Sequence, residues 1–596
     1  MNENLVAARG RCAGRETAPK RLLTAMVWLL ALSALGLLAA WTPAARAQAG
    51  AEAPRGRLVD PAWLMQALKS AAAAPGATAS TLVVLDAQPA PLHAAQHIAG
   101  ARHVDVFAGG ARPPGPAEME QRFQALGLHP GTRIVVYDQG GDFFAPRLFY
   151  DLVLHGVPES DVYLLDGGLA RWRAAGGEVT KEPTAAAARG SLRVSRVREE
   201  LRTQLPEFLT ASGDPRGNAL LEALEPAWYY GATAWFGRGG HVPHAQMTPV
   251  PEYFNADKTF KSPAELRRMM AHLGVRPEQQ VYSYCGGGFA AAVPFFALKY
   301  LADFPQVKLF PGSQLDWLRD ERGLPTWTYA APNLMRDTGW LKAWNGKLLR
   351  STGASPLILV DVRPPEAYKA GHLPYAVNVP AELFRRHAHE PDRLAALLGP
   401  AGVNAALEAV VVSDGGLDAD AGFAYWMLER LGQHRVSIFV DSLERWAELG
   451  QEVAREPTVV GPPAKPGQIT IPRTTYAARA RTTGLVADAP GAAGAAGAAA
   501  AAPLYPRVVV AMGAKPPAPP AASGAAAARV VHVPLKSLLQ ADGRPKPAHD
   551  LWSLLAKAGV PRYAELALAA DDAGEAAAGH FVLRLMGFPD VKVAWP

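Results

Sequence analysis

Short apolar runs recur along this 596-residue chain, separated by longer stretches of mixed polarity. They include Thr81–Asp86, Arg133–Tyr137 and Val162–Leu165, then Val281–Tyr284 and Val307–Phe310, then Leu357–Asp361, Ala409–Ser413 and Val436–Val440. Arg507–Val510, Val530–Pro534, Ala564–Leu568 and Val591–Val593 complete the series. Runs this short and this continuously apolar predict strands buried on both faces, and the intervening stretches predict amphipathic helices. Their alternation predicts an α/β fold of mainly parallel sheets flanked by helices.

The order of elements repeats four times. Each copy opens on a short strand, passes a turn containing His or Gly and a second short strand, and continues through helix, central strand, loop, helix and final strand. The copies are expected at 58–182, 195–330, 335–456 and, eroded, 504–596. Residues 457–503, which include the Ala/Gly tract Ala489–Pro503, are expected to link the third and fourth copies. A second tract, Ala514–Ala528, reads as an insertion inside the fourth copy.

Composition narrows the chemistry. With only two cysteines, Cys12 and Cys285, a disulfide scaffold and a thiolate-rich metal site are excluded. Residues 1–47 have a basic front, an apolar run from Leu22 to Trp41 and the cleavage pattern Ala45-Arg46-Ala47, which reads as a secretory signal peptide. The expected location is therefore periplasmic or secreted; an uncleaved N-terminal helix anchored in the membrane is the alternative. Removing the segment lowers the net charge from +6 to +2 and leaves Cys285 as the single thiol. No dense basic cluster remains, so nucleic-acid binding is not expected. No haem, zincin or nucleotide motif is present, so those roles have no support.

Certain motifs recur in register. The first copy has Gln96-His97-Ile98-Ala99-Gly100-Ala101 and Asp166-Gly167-Gly168 with Trp172. The second has Gly240-His241-Val242-Pro243, Cys285-Gly286-Gly287-Gly288-Phe289-Ala290 and Trp317. The third has Asp361-Val362-Arg363, Gly371-His372-Leu373-Pro374 and Trp446. This set resembles the rhodanese-like, or thiosulfate sulfurtransferase, family. The resemblance runs well over residues 58–456 and weakly over 504–596.

At the end of each central strand stand Asp138, Cys285, Asp414 and approximately Asp571. In a parallel α/β sheet ligands bind there, and the following helix start favours an anion. Only Cys285 is a strong sulfur nucleophile. Three glycines after it allow a tight loop with inward-pointing amides, and Pro294 is tolerable in the first turn of the helix that follows.

The resemblance implies a sulfurtransferase in which Cys285 carries a persulfide, Gly286, Gly287, Gly288, Phe289 and Ala290 form the binding loop, and an acceptor thiol or cyanide takes the sulfur. The chemistry it implies needs neither a metal nor an organic cofactor. Position 291, where Cys-x5-Arg phosphatases clamp an oxyanion, is Ala, so phosphate-ester hydrolysis is disfavoured. The loop lacks a cation, and Glu222-Ala223-Leu224 replaces the family's Asp-x-Arg; Arg238 is the candidate substrate cation. Thiosulfate, mercaptopyruvate and a protein persulfide all fit as donors.

His97, His241 and His372 are expected to be structural, the three Trp to pack the last helix, and Asp138 and Asp414 to cap the next helix. The first copy is expected to cover the second, and the third and fourth to be inactive modules for packing or protein partners. Two competing readings are a periplasmic binding or scaffold protein built of inactive modules and a redox sensor using the same thiol.

Overall fold

The computed structural model describes residues 56–72, 81–108, 110, 112–477, 479, 484–487, 504–516 and 529–595. The expected signal segment at 1–47, Cys12 and the Ala489–Pro503 tract lie outside them.

The apolar runs form four sheets, in each of which all the recorded strand pairs are parallel. The first has the spatial order Leu58–Val59, Val162–Leu165, Arg133–Tyr137, Leu82–Asp86, Arg102–His103. The third runs Met335–Arg336, Arg435–Phe439, Glu408–Val412, Leu357–Asp361, Ala376–Asn378, which is the same topology. The second repeats it with four strands, Val307–Leu309, Gln280–Tyr284, Asn218–Glu222 and Gln246–Met247, and Arg202 adds a single bridge to Leu309 where the edge strand lies elsewhere. The strands Leu82–Asp86, Leu357–Asp361 and Glu408–Val412 are buried along their length, as strands covered by helices on both faces must be.

The fourth sheet corrects the expected boundary. Its order is Val486–Ala487, Val591–Ala594, Glu565–Ala569, Arg507–Ala511, Arg529–His532. The sheet therefore begins ahead of the Ala/Gly tract, so 489–503 joins two of its strands instead of two domains. A two-residue edge strand is too short to show in hydrophobic periodicity. The segment before it is not a free linker either: Ile471 and Tyr476 are buried, and the Thr474 amide and hydroxyl bond Gly399 O and Val403 O of the third copy. The second tract falls between Arg507–Ala511 and Arg529–His532, inside the fourth copy as expected.

The copies associate in pairs. One core joins the first two and another joins the last two. In each pair, the helices that follow the central strands pack against each other. Phe144–Leu154 meets Ala292–Leu301 through Phe149 on Phe296 (4.9 Å) and Tyr150 on Phe295 (5.1 Å). Ala419–Arg430 meets Ala573–Leu585, with Tyr425 edge-on to Phe581 at 5.1 Å. Among the described residues no helix is long and apolar enough to cross a membrane.

Candidate active site at Cys285

Cys285 follows the strand Gln280–Tyr284, the central strand of the second sheet, at its carboxyl end. The loop after it enters the helix Ala292–Phe296, which continues as a π-helical turn over Ala297–Leu301. Pro294 sits in the first turn, as its missing N–H requires. The thiol is 2% exposed, and its Sγ accepts a hydrogen bond from the Gly288 amide at 3.1 Å.

The loop is fixed from outside. The Cys285 amide donates to Ser313 Oγ at 3.1 Å, and that hydroxyl donates to the Phe310 carbonyl at 2.7 Å. The carbonyls of Cys285 and Gly286 accept from Gln314 N and Leu315 N, each at 3.0 Å. Gly288 has φ +83°, and a Cβ there would stand 2.5 Å from the Pro311 carbonyl oxygen, so its place demands glycine. Gly286 lies against Trp235, whose Cζ2 would be 3.0 Å from a Cβ at 286. Gly287 and Ala290 are the half-exposed members of the loop.

The surroundings are aromatic, and the nearest cation on the loop comes from the first copy. Phe107 of that copy packs on Phe289 with ring centres 4.5 Å apart. Arg147, 1% exposed, lies 4.6 Å above the Phe289 ring centre and donates to the Gly288 carbonyl at 3.1 Å; its Nε bonds Asp151 at 2.9 Å. In the second copy, Trp228 of the helix Pro226–Tyr229 stacks at 4.5 Å on Trp235 of the hairpin Ala234–Trp235/Arg238–Gly239. Arg238, the cation expected from the sequence, donates to the Leu324 carbonyl. Sequence reading missed Arg147 because it is 141 positions from its partner; only the pairing of copies brings it there.

Beneath the loop is a buried carboxyl group. Glu222, fully buried, accepts from Tyr284 Oη and, at 2.8 Å, from Gln314 Nε2, which also donates to the Gly240 carbonyl at 3.0 Å. Burial pushes its pKa up to about 8, only partly opposed by the tyrosine hydroxyl. The corresponding acids elsewhere are better provided: Asp361 pairs with Arg363 at 2.6 Å, and Asp86 accepts from Gln88, His93 and Tyr137.

The other copies show what replaces the thiol. Asp138 accepts from Gly140 N at 2.7 Å and Ala145 N at 2.9 Å, capping its helix as expected. Asp414 does not cap: its side chain is 82% exposed and 3.7 Å from Arg363, and Asp418 caps the helix through Ala421 N. In the fourth copy the cap is Asp572, bonding Gly574 N at 2.8 Å. The recurring histidines are structural, with Nδ1 on the carbonyls of His93, Tyr229 and Tyr368. Trp172, Trp317 and Trp446 are buried, and each donates to a carbonyl just beyond its helix.

A family model described as a Rhodanese-like domain matches residues 60–175 and 344–449, in the first and third copies. The thiosulfate sulfurtransferase of Pseudomonas aeruginosa is 28% identical over 251 residues, 41% of this chain and 90% of that relative. The crystal structure of SseA from Escherichia coli, a 3-mercaptopyruvate sulfotransferase, has 26% identity and a TM-score of 0.38, covering 43% of this chain and 98% of that one. A probable 3-mercaptopyruvate sulfurtransferase of Pseudomonas aeruginosa is 33% identical over 248 residues, 38% of this chain and 82% of that relative. On the motifs, the repeated parallel sheets and this coverage, the chain belongs to the rhodanese-like family.

Proposed function

We propose that this protein is a sulfurtransferase that carries sulfane sulfur as a persulfide on Cys285. The observation that carries the reading is the Gly288 amide aimed at Cys285 Sγ at 3.1 Å, at the carboxyl end of a central parallel strand. A backbone amide so placed favours a negatively charged sulfur and needs no reorganisation as charge moves.

With thiosulfate as donor, the Cys285 thiolate attacks the sulfane sulfur. A bond forms between the two sulfurs, the bond to the oxidised sulfur breaks, and sulfite leaves with the electron pair. An acceptor thiolate or cyanide then attacks the outer sulfur and returns Cys285 as thiolate. The 33%-identical relative supports 3-mercaptopyruvate as a second donor; there the same displacement expels pyruvate as its enolate, which takes up a proton. Arg238 would bind a donor carboxylate only by leaving Leu324. The reading includes export, with residues 1–47 removed.

Intact-mass spectrometry after incubation with each donor tests this. The expected result is a gain of about 32 Da, one sulfur atom, removed by dithiothreitol and absent in Cys285→Ser. The same spectrum of protein recovered from the periplasm should begin at Gln48. Failure of every donor to add sulfur, or addition to Cys285→Ser, would overturn the persulfide assignment.

A further inference from the structure

A second site lies at the edge of the first sheet, in the copy without a cysteine. A cavity of about 340 Å³ opens beside the edge strand Arg102–His103 and is lined by His93, His97, His103, Arg102, Lys181 and Thr184, with only Ala, Pro and Leu between them. Five of these six side chains are cationic or can become so, and no carboxylate lines the cavity. Its size is that of a small-ligand pocket.

The polar groups are built into the fold. His93 stacks on His97 at 4.0 Å, lies 4.8 Å from His103, and is anchored through Nδ1 to Asp86 at 2.7 Å. His97 is 1% exposed, and both of its ring nitrogens face carbonyl oxygens: Nδ1 that of His93 at 2.9 Å and Nε2 that of Glu182 at 3.1 Å. His103 Nε2 is fixed on the Gln88 carbonyl at 2.9 Å.

Two groups point to a ligand. Thr184 Oγ1 is buried without a hydrogen-bond partner, an expense that a bound acceptor or donor would remove. Arg102, which donates to the Leu126 carbonyl, has its pKa lowered by burial, the opposite of what an adjacent anion would do. A metal does not fit: among the described residues no group of three His, Cys, Asp or Glu is placed to hold one.

We propose that this cavity binds a small, multiply charged oxyanion, held by Arg102, Lys181 and the histidine cluster with the Thr184 hydroxyl as a directional contact. The site is independent of the cysteine chemistry. The second copy offers no counterpart, since the Nε2 of its recurrent His241 is buried without a partner and the ring stacks on Tyr229 at 3.6 Å.

Calorimetric titration of the full chain carrying Cys285→Ser, with inorganic phosphate, thiosulfate and citrate as separate probes, tests the proposal without persulfide formation. Saturable binding of at least one probe is expected. Lys181→Ala, at an exposed position that leaves folding intact, should weaken it on the order of tenfold, and Thr184→Val by several-fold. Preference for phosphate and thiosulfate over citrate would identify a tetrahedral inorganic anion, and the reverse a polycarboxylate. Absence of saturable binding to all three, or binding unchanged by both substitutions, would overturn the site.

Discussion

Glu222 is the most exposed to a change of conditions of all the groups around Cys285, although it is buried from water. Its carboxyl has a pKa of about 8 against an ordinary 4.5, so the folded protein holds a proton there that the unfolded chain releases. A group raised in this way stabilises the fold fully below the unfolded value and loses that contribution as pH rises through the folded value. Between about pH 4.5 and 8 the native state should thus lose on the order of a few kcal/mol from this residue alone. Glu222→Gln keeps the shape and the bond from Gln314 Nε2 but does not titrate. Denaturant titrations from pH 5 to 9 should show wild type falling relative to the variant, with the curves converging at the acid end. Parallel pH dependence in the two proteins would show that Glu222 ionises without cost.

At the level of elements, each pair of copies depends on two helices meeting closely. In the second pair the approach is set by Gly422, where a Cβ would stand 2.5 Å from the Ala578 backbone nitrogen. A backbone atom cannot swing aside as a side-chain tip can, so Gly422→Ala must push apart the helices Ala419–Arg430 and Ala573–Leu585. Overpacking of this kind costs about 1–3 kcal/mol, which exceeds the helix-propensity gain of about 1 kcal/mol from replacing glycine. The expected result is a lower unfolding midpoint in denaturant; a raised midpoint would mean that the helices are not in contact through this face. Helices and central strands of this kind were readable from the chain because burial on both faces writes a continuous apolar run, as in Ala409–Ser413. The edge strand Val486–Ala487 was not, because two residues carry no period. Cys285 and its glycines were legible for a local reason: nucleophile, tight turn and helix start are contiguous. Arg147 over Phe289, Trp235 against Gly286 and the Arg238 bond to Leu324 were not, because each depends on how distant segments pack.

At the scale of the whole molecule, the cysteine-bearing pair is tied to the second pair through the second and fourth copies. Tyr230 of the second copy donates to the Met586 carbonyl at 2.8 Å and stacks on Trp552, and together with Tyr229 and Met247 it joins the core of the third and fourth copies. The polar centre of this junction is Glu252, which accepts from Arg562 Nη1 at 3.0 and 2.9 Å and from Tyr563 Oη at 2.6 Å. Burial alone would lower the Arg562 pKa, yet the Glu252 carboxylate raises it on balance, so the guanidinium is held charged in a place where only its partner makes a charge tolerable. Glu252→Gln leaves that charge 9% exposed and unpaired. Removing one partner of a buried pair costs about 3–5 kcal/mol, and the 20% exposure of Glu252 places this case toward the lower end. Scanning calorimetry of the variant should show the unfolding of the second pair separating from that of the cysteine-bearing pair and moving to lower temperature. Combining Glu252→Gln with Arg562→Met removes the stranded charge and should recover part of the loss. If Glu252→Gln melts as wild type does, the junction is held by its aromatic contacts, and the third and fourth copies stabilise the cysteine-bearing copy through Tyr230 and Trp552 instead of through the ion pair.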